Sequence, residues 1–477
     1  MFGRGADNFS YRYTQVGRNI LELIESGTLK PGDRIPSLRQ MSAKMRVSVT
    51  TVLQAYMELE SQGVVESRPK SGFFVCSGFR KLPPPPASPV KTPIEPRALN
   101  RSELIGTVRD LLGRTDILPF AVACPDPSLL PGKDLGRIMA SALREDAGRA
   151  IGYETVRGNA ELRKQIAFRC MDAGVSVQSD DIIITTGAME AISIAVRCIT
   201  RPGDLVVIQS PAYYCFLHLL DTLGLRVIEI PSRPEGGIAP RDLADAINQY
   251  DVKACIFNLN FSNPDGSVVP DEAKKEIVDL LAAKSIPLIE DDVSGDIHFG
   301  PNRPQVCMKY DRKGTVMLCS SYSKTIAPGY RIGWLIPGKY FERAQGIKVD
   351  TSVCSASPPQ VAVAEFLRTG RYERHLKRLR AAIETHMHTM QLAISRYFPP
   401  ETKVTRPAGG LALWVELPEN TDSRDLFFRA RAQGIGIMPG LICSTFEKYK
   451  NFIRLTCCGI WNKEIEGGIE KLGQMVR

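Results

Sequence analysis

Residues 81 to 96 set the first constraint on how this chain can fold. Lys81-Leu82-Pro83-Pro84-Pro85-Pro86-Ala87-Ser88-Pro89 is followed by Pro93 and Pro96. Each proline lacks an N–H donor and fixes its own φ, so the run can form neither a helix nor a central strand. It favours extended polyproline II and acts as a semi-rigid spacer. A polyproline docking motif is the alternative reading. The chain is expected to fold as two parts, residues 1–80 and 116–477, joined by a linker over 81–115. A stiff linker implies domains held apart yet coupled.

Composition limits the class. With 43% hydrophobic and 24% charged residues the chain has the balance of a soluble globular protein. No run approaches the ~20 apolar residues of a membrane span, and Met1 to Ser10 has no apolar signal-peptide core. The 12 cysteines form no C-x-x-C pair, and Cys457 and Cys458 are adjacent, which suits neither a disulfide nor a metal clip. No metal site is expected, and a reducing, cytoplasmic setting is. The net charge of +9 permits an anionic partner. Residues 1–80 hold 11 Lys and Arg against 7 Asp and Glu, an enrichment in positive charge.

Within those residues, Val16, Ile20, Leu23 and Ile24 mark one face of a helix over 13–24. Ser37 is placed to cap a short helix through Met45, and Ser48 a second helix over 50–62. Two helices and a tight turn make a helix-turn-helix, whose second helix enters the major groove of double-stranded DNA. Residues 66–75 read as a hairpin wing, with Arg68 and Lys70 where a wing meets phosphate. A helical module that binds protein is the other reading.

The string Gly27-Thr28-Leu29-Lys30-Pro31-Gly32-Asp33-Arg34-Ile35-Pro36-Ser37-Leu38-Arg39, followed by Val47-Ser48-Val49-Thr50-Thr51-Val52-Leu53, resembles the GntR family of winged-helix regulators. The resemblance covers residues 11–75. It implies that Arg34, Ser37 and Arg39 face phosphate and groove, and that Ser48, Thr50 and Thr51 open the recognition helix. Where the family often has Arg after that Ser, this chain has Val49, which can touch a thymine methyl but cannot fork onto guanine.

From about residue 115, strand and helix patterns alternate, which predicts an α/β fold with a mostly parallel sheet. Strands are expected at 182–186, 205–209, 226–230, 254–259, 287–289 and 315–319. Ligands gather at the carboxyl ends of such strands, and the polar surprises fall there. Thr186-Gly187-Ala188-Met189 opens a helix whose free N–H groups suit a phosphate. Tyr213 follows the second strand, Asn263 the fourth and Asp291 the fifth. Each has an ordinary reading as a packing or turn residue.

After the sixth strand comes Ser320-Ser321-Tyr322-Ser323-Lys324-Thr325-Ile326-Ala327-Pro328-Gly329-Tyr330-Arg331. A neutral lysine amine condenses with a carbonyl cofactor, and a hydroxyl with a guanidinium suits phosphate. Lys324, Ser321 and Arg331 together describe a seat for pyridoxal 5′-phosphate (PLP). The full string resembles the cofactor-lysine signature of class I aminotransferases, the fold-type-I PLP enzymes, over roughly residues 118–477. By that resemblance Lys324 bonds the cofactor covalently, Asp291 holds the ring nitrogen, Asn263 the ring hydroxyl, and Tyr213 stacks on the ring. Ala188, Met189, Ser321 and Arg331 bind the phosphate. Tyr153 matches a tyrosine that reaches the phosphate of a partner subunit, which implies a homodimer. Arg454 matches the arginine that forks onto a substrate carboxylate. Relatives carry a tyrosine two or three positions after the ring-nitrogen Asp; here Asp291-Asp292-Val293-Ser294 has none, which is expected to alter how the cofactor titrates.

A winged helix, a proline-rich linker and an aminotransferase-like domain together resemble the MocR-type subgroup of the GntR family. This implies a PLP-dependent transcriptional regulator whose large domain senses PLP or an amino compound. The alternative is a working PLP-dependent aminotransferase with an accessory DNA-binding domain.

Overall fold

The computed structural model describes residues 12–61, 64–68, 71–76, 82–86, 94–98, 106, 108, 110–111, 114, 116–145, 148, 151–446 and 448–476. Lys70, expected at the wing tip, lies outside the described residues.

Three helices and a hairpin form the N-terminal unit: α1 (Arg12–Glu25), α2 (Leu38–Met45), α3 (Val49–Ser61), β1 (Val65–Arg68) and β2 (Gly72–Val75). Ser37 caps α2 in a reciprocal box with Gln40. Arg46 ends α2 in the left-handed region at φ 53°, and Ser48 Oγ accepts the Thr51 N–H to start α3. The helix faces read from sequence close on a small core of Val16, Ile20, Met41, Val52, Tyr56 and Val75. The wing pairs antiparallel, with Arg68 opposite Gly72.

The proline stretch does not hold the two parts at a distance. The Pro84 carbonyl accepts a hydrogen bond from Val404 N, and the Pro83 carbonyl one from Arg406. Prolines have no N–H to offer but keep their acceptors, so the segment lies along the large domain as an acceptor-only edge. Arg97 and Ala98 (β3) pair with the main sheet, and Val108 and Leu111 are buried in the large domain's core. The N-terminal core touches the long helix Arg371–Tyr397 through Leu392, and Arg18 of α1 pairs with Glu384 of that helix at 3.8 Å.

In the large domain Leu118–Pro119 is β4, and the sheet strands are β5 (Ile183–Thr186), β6 (Leu205–Ser210), β7 (Arg226–Arg233), β8 (Gly237–Ile238), β9 (Val252–Phe257), β10 (Leu288–Asp291), β11 (Val316–Ser321) and β12 (Ile332–Ile336). The order is β3-β7-β6-β9-β10-β11-β12-β5, with β8 on β7. β7, β6, β9, β10 and β11 run parallel. The expected strands are all present. β12, which follows the lysine loop, returns antiparallel between β11 and β5, because so short a connection from β11 has no room for a crossover helix. A second, antiparallel sheet is built from β13 (Lys403–Val404), β14 (Ala412–Glu416), β16 (Met438–Pro439) and β17 (Phe452–Thr456), while β15 (Ile435–Gly436) pairs with β4. Among the described residues no helix is long and apolar enough to cross a membrane.

Candidate cofactor seat and nucleic-acid interface

The parallel strands β6, β9, β10 and β11 deliver their polar ends to one edge of the sheet, as the topology requires. Lys324 sits on a tight turn, Tyr322–Lys324, directly after β11; the Ser321 hydroxyl caps that turn by accepting the Ser323 N–H. The Lys324 ammonium donates to the Ala123 carbonyl, 201 residues away. Burial pulls its pKa down, against the pull of nearby Cys124 and Cys458. A depressed pKa raises the fraction of neutral, nucleophilic amine.

Asp291 ends β10 and is 5% exposed. Its Oδ1 accepts the Val293 N–H at 3.1 Å. Burial raises its pKa to about 7, from an ordinary 3.8. The neighbouring Asp292 adds to that rise and the Lys324 charge opposes it. Asn258 organises the floor: its amide donates to the Asp291 carbonyl at 2.6 Å, and its Oδ1 accepts the Asn263 N–H at 2.9 Å. The Asn263 side chain then accepts from Arg454 at 2.9 Å. Arg454, on β17, is 2% exposed; it also donates to the Ala121 carbonyl, and its buried Nε has no hydrogen-bond partner among the described residues. Tyr213 precedes the helix Tyr214–Thr222 and packs edge-on against Phe216, 5.4 Å between centroids.

The phosphate end rests on two glycines. Gly187, at φ 82°, precedes the helix Ala188–Ile199, and a Cβ there would overlap the Arg331 guanidinium. A Cβ on Gly333 would overlap the Gly187 backbone. Only without side chains can β12 approach this helix start so closely. Arg331 donates to the Thr186 carbonyl at 3.1 Å and to Ser323 Oγ at 3.3 Å. Its fork therefore sits beside the N–H groups of Ala188 and Met189 that open the helix.

These observations fit PLP: an amine, a buried carboxyl with no ion pair among the described residues, an anion cradle, and an arginine whose Nε has no partner among them. Lys324, Asp291, Asn263 and Arg454 are linked through Asn258 and through the carbonyls of Ala121 and Ala123. Tyr153 is not drawn in. It is 91% exposed, and no hydrogen bond or ring contact among the described residues ties it to the seat. Sequence reasoning missed Asn258, Ala121, Ala123, Cys124 and Cys458. Asn258 stands at the end of a strand already identified and was findable by that rule; the others are far away in sequence.

On the N-terminal unit Arg34, Ser37, Arg39, Ser48 and Thr50 are exposed and Thr51 is partly so. Ser37 and Ser48 spend their hydroxyls on helix caps, and Ser48 Oγ also lies 2.7 Å from both threonine hydroxyls. Val49 is 43% exposed at the start of α3. Arg34 packs over Gly72 of the wing. Arg68 is held by Glu66 at 2.6 Å and by the Phe74 ring at 4.3 Å.

Residues 126–472 match the family Aminotransferase class I and II. Residues 12–75 match Bacterial regulatory proteins, gntR family. End to end, the chain is similar to the uncharacterized HTH-type transcriptional regulator YdcR of Escherichia coli (strain K12), 35% identical over 98% of this chain and 99% of the relative. It is 34% identical to the uncharacterized HTH-type transcriptional regulator YjiR of the same organism, over 98% of each chain. Among solved structures it resembles Pyrococcus horikoshii kynurenine aminotransferase in complex with PMP, at 26% identity and TM-score 0.72, over 79% of this chain and 95% of that one.

Proposed function

Since the chain belongs to the class I and II aminotransferase family and carries a gntR-family domain ahead of that fold, as the HTH-type transcriptional regulators related to it do, we propose a PLP-dependent transcriptional regulator whose large domain is the sensor. What supports this reading is that a candidate cofactor seat and a helix-turn-helix with an exposed reading edge occur in the same chain. When bound, PLP supplies an aldehyde that condenses with amines and a ring that draws electrons.

The chain's own residues do the rest. Lys324, whose pKa burial lowers, is the attachment point and yields to a competing amine. Asp291 pairs with a protonated ring nitrogen, and Asn263 meets the ring hydroxyl. Ala188, Met189, Ser321 and Arg331 hold the phosphate, while Tyr213 stacks against the ring. Arg454 recognises a carboxylate on the incoming effector. Val293 and Ser294 offer no phenol where enzyme relatives have one, which favours holding a ligand over turning it over. PLP itself, or an amino compound joined to it, shifts the balance between domain arrangements to the extent that it binds one more tightly.

Arg34, Arg39 and Arg68 supply phosphate contacts, and Ser48, Val49, Thr50 and Thr51 face base edges. The exposed Tyr153 reaches the seat of a second copy, giving a homodimer with paired half-sites. Acting on the chromosome, the protein works in the cytoplasm. Footprinting of the DNA adjacent to the gene, with and without PLP, beside Lys324→Ala, tests this. A protected site whose affinity changes with PLP in the wild type but not in the variant is expected. No protected site in any condition overturns the regulator reading. Sustained turnover with a 2-oxo acid acceptor would establish the aminotransferase alternative.

A further inference from the structure

Helix α3, placed to enter the DNA groove, carries no lysine, arginine or histidine along its whole length, Val49–Ser61. One face, Val52, Ala55, Tyr56 and Leu59, is buried and closes the small N-terminal core. The opposite face is exposed: Val49, Thr50, Leu53, Gln54 and Met57, whose spacing puts them on one side of a helix. Val49, Leu53 and Met57 are large apolar side chains left in water, each one turn from the next. They form a contiguous stripe rather than scattered single residues, and such a stripe marks an interaction surface.

The polar groups around the stripe are largely engaged. The Thr50 and Thr51 hydroxyls each lie 2.7 Å from Ser48 Oγ, inside the cap that starts the helix. Glu60, at the far end, accepts the Ser67 N–H of the wing at 2.8 Å. Gln54 is the exposed amide in the middle of the face. Positive charge lies around the helix instead of on it. Arg39 and Lys44 on α2, Arg46 in the turn between the helices, and Arg34 beside the wing are all exposed. Such a rim suits the phosphates on either side of a groove, and the neutral face between them suits the bases.

Base chemistry then decides what this face can read. In the major groove guanine is recognised chiefly by a forked arginine or a lysine, and cytosine by a carboxylate; the exposed face holds none of these. A glutamine amide pairs with adenine through N6 and N7, and aliphatic side chains meet the thymine C5-methyl. We infer that α3 reads A·T base pairs, with Gln54 on adenine and with Val49 and Leu53 against thymine methyl groups, so that each operator half-site has an A·T centre. The inference rests on the regulator reading above and narrows it to a class of operator.

In the test, the full chain selects DNA from a pool of random duplexes long enough for two half-sites, in the presence and in the absence of PLP. The selected DNA is then copied with either dTTP or dUTP, which differ only in the methyl group. Wild type is expected to enrich A·T half-sites and to bind the thymine copy about tenfold more tightly, as the burial of two methyl groups requires. Val49→Ala/Leu53→Ala should bind both copies alike, near the wild-type affinity for the uracil copy. Gln54→Ala should bind both copies roughly tenfold more weakly and keep the thymine preference, a split that misfolding does not produce. Several results overturn the inference and leave the regulator reading intact: enriched half-sites centred on G·C, equal wild-type binding to both copies, a thymine preference that survives in the double variant, or unaltered affinity in Gln54→Ala. So does a change in the sedimentation of the DNA-free double variant, which would give the stripe to a second copy of this chain. Enrichment of no sequence by wild type overturns both.

Discussion

At the scale of single residues, Asp291 and Arg454 are charged groups placed where water cannot relax them. Asp291 carries the clearest consequence. Its carboxyl ordinarily titrates at 3.8 and in the fold at about 7. Between those values the folded state keeps a proton that the unfolded state has released, so the cofactor-free protein loses stability as pH rises from about 4 to about 7, then levels off. Asp291→Asn removes that loss. Thermal melts of cofactor-free protein should show the variant gaining up to about 4 kcal/mol on wild type above pH 7, and nothing at pH 4. The same change should weaken PLP retention roughly 10- to 100-fold, since the ring nitrogen loses its charged partner. A variant that retains PLP as well as wild type would refute the role given to Asp291.

At the scale of elements, strand ends are fixed by what neutralises them. The turn after β10 carries Asp292 and Asp296, and Arg303 reaches both: it is paired with Asp292 and lies 2.8 Å from Asp296, with its side chain only 11% exposed. Asp292 also accepts from Asn260 at 2.8 Å, and Asp296 from Tyr372 at 2.9 Å, which ties β10 to the long helix. Arg303→Met leaves Asp292 without its guanidinium and Asp296 with Arg169, at 3.9 Å. Denaturation should show the large domain less stable by roughly 3–5 kcal/mol, and PLP affinity should fall because Asp291 is the residue before Asp292. An unchanged midpoint would mean that the network contributes only local order. The N-terminal elements rest on cheaper devices, the Ser37 and Ser48 caps, each worth about 1 kcal/mol.

At the scale of the whole molecule, exposure is the informative quantity. Tyr153 and its neighbour Ile151 are 91% and 88% exposed. Tyr153→Ala should leave the melting temperature of the cofactor-free protein within about 1 °C, as surface changes do, yet lower PLP affinity about tenfold. Sedimentation should show the wild type as a dimer. Unaltered PLP affinity together with a monomeric wild type would remove the partner-subunit role.

Six of the sheet strands, the three N-terminal helices, the wing and the lysine loop were legible in the sequence, because each depends on local rules: periodicity, caps, and turn residues at strand ends. The identity of Lys324, Asp291, Asn263 and Arg331 as candidates was legible for the same reason, helped by a resemblance. What holds them was not. Lys324 meets Ala123 201 residues away, and Arg454 meets Ala121 333 residues away; backbone carbonyls leave no mark in a sequence. β12 was not among the expected strands, and its pairing with β11 and β5 defines it. The pairing of Arg18 with Glu384 exists only once α1 is laid against the long helix, and bonds from Val404 and Arg406 turn a proline run that local rules make a spacer into an edge of the large domain. Sequence alone determined which segments could be helix, strand or breaker. Tertiary structure decided which charges lost their water and which partner each one found, because burial and long-range pairing belong to the folded chain as a whole.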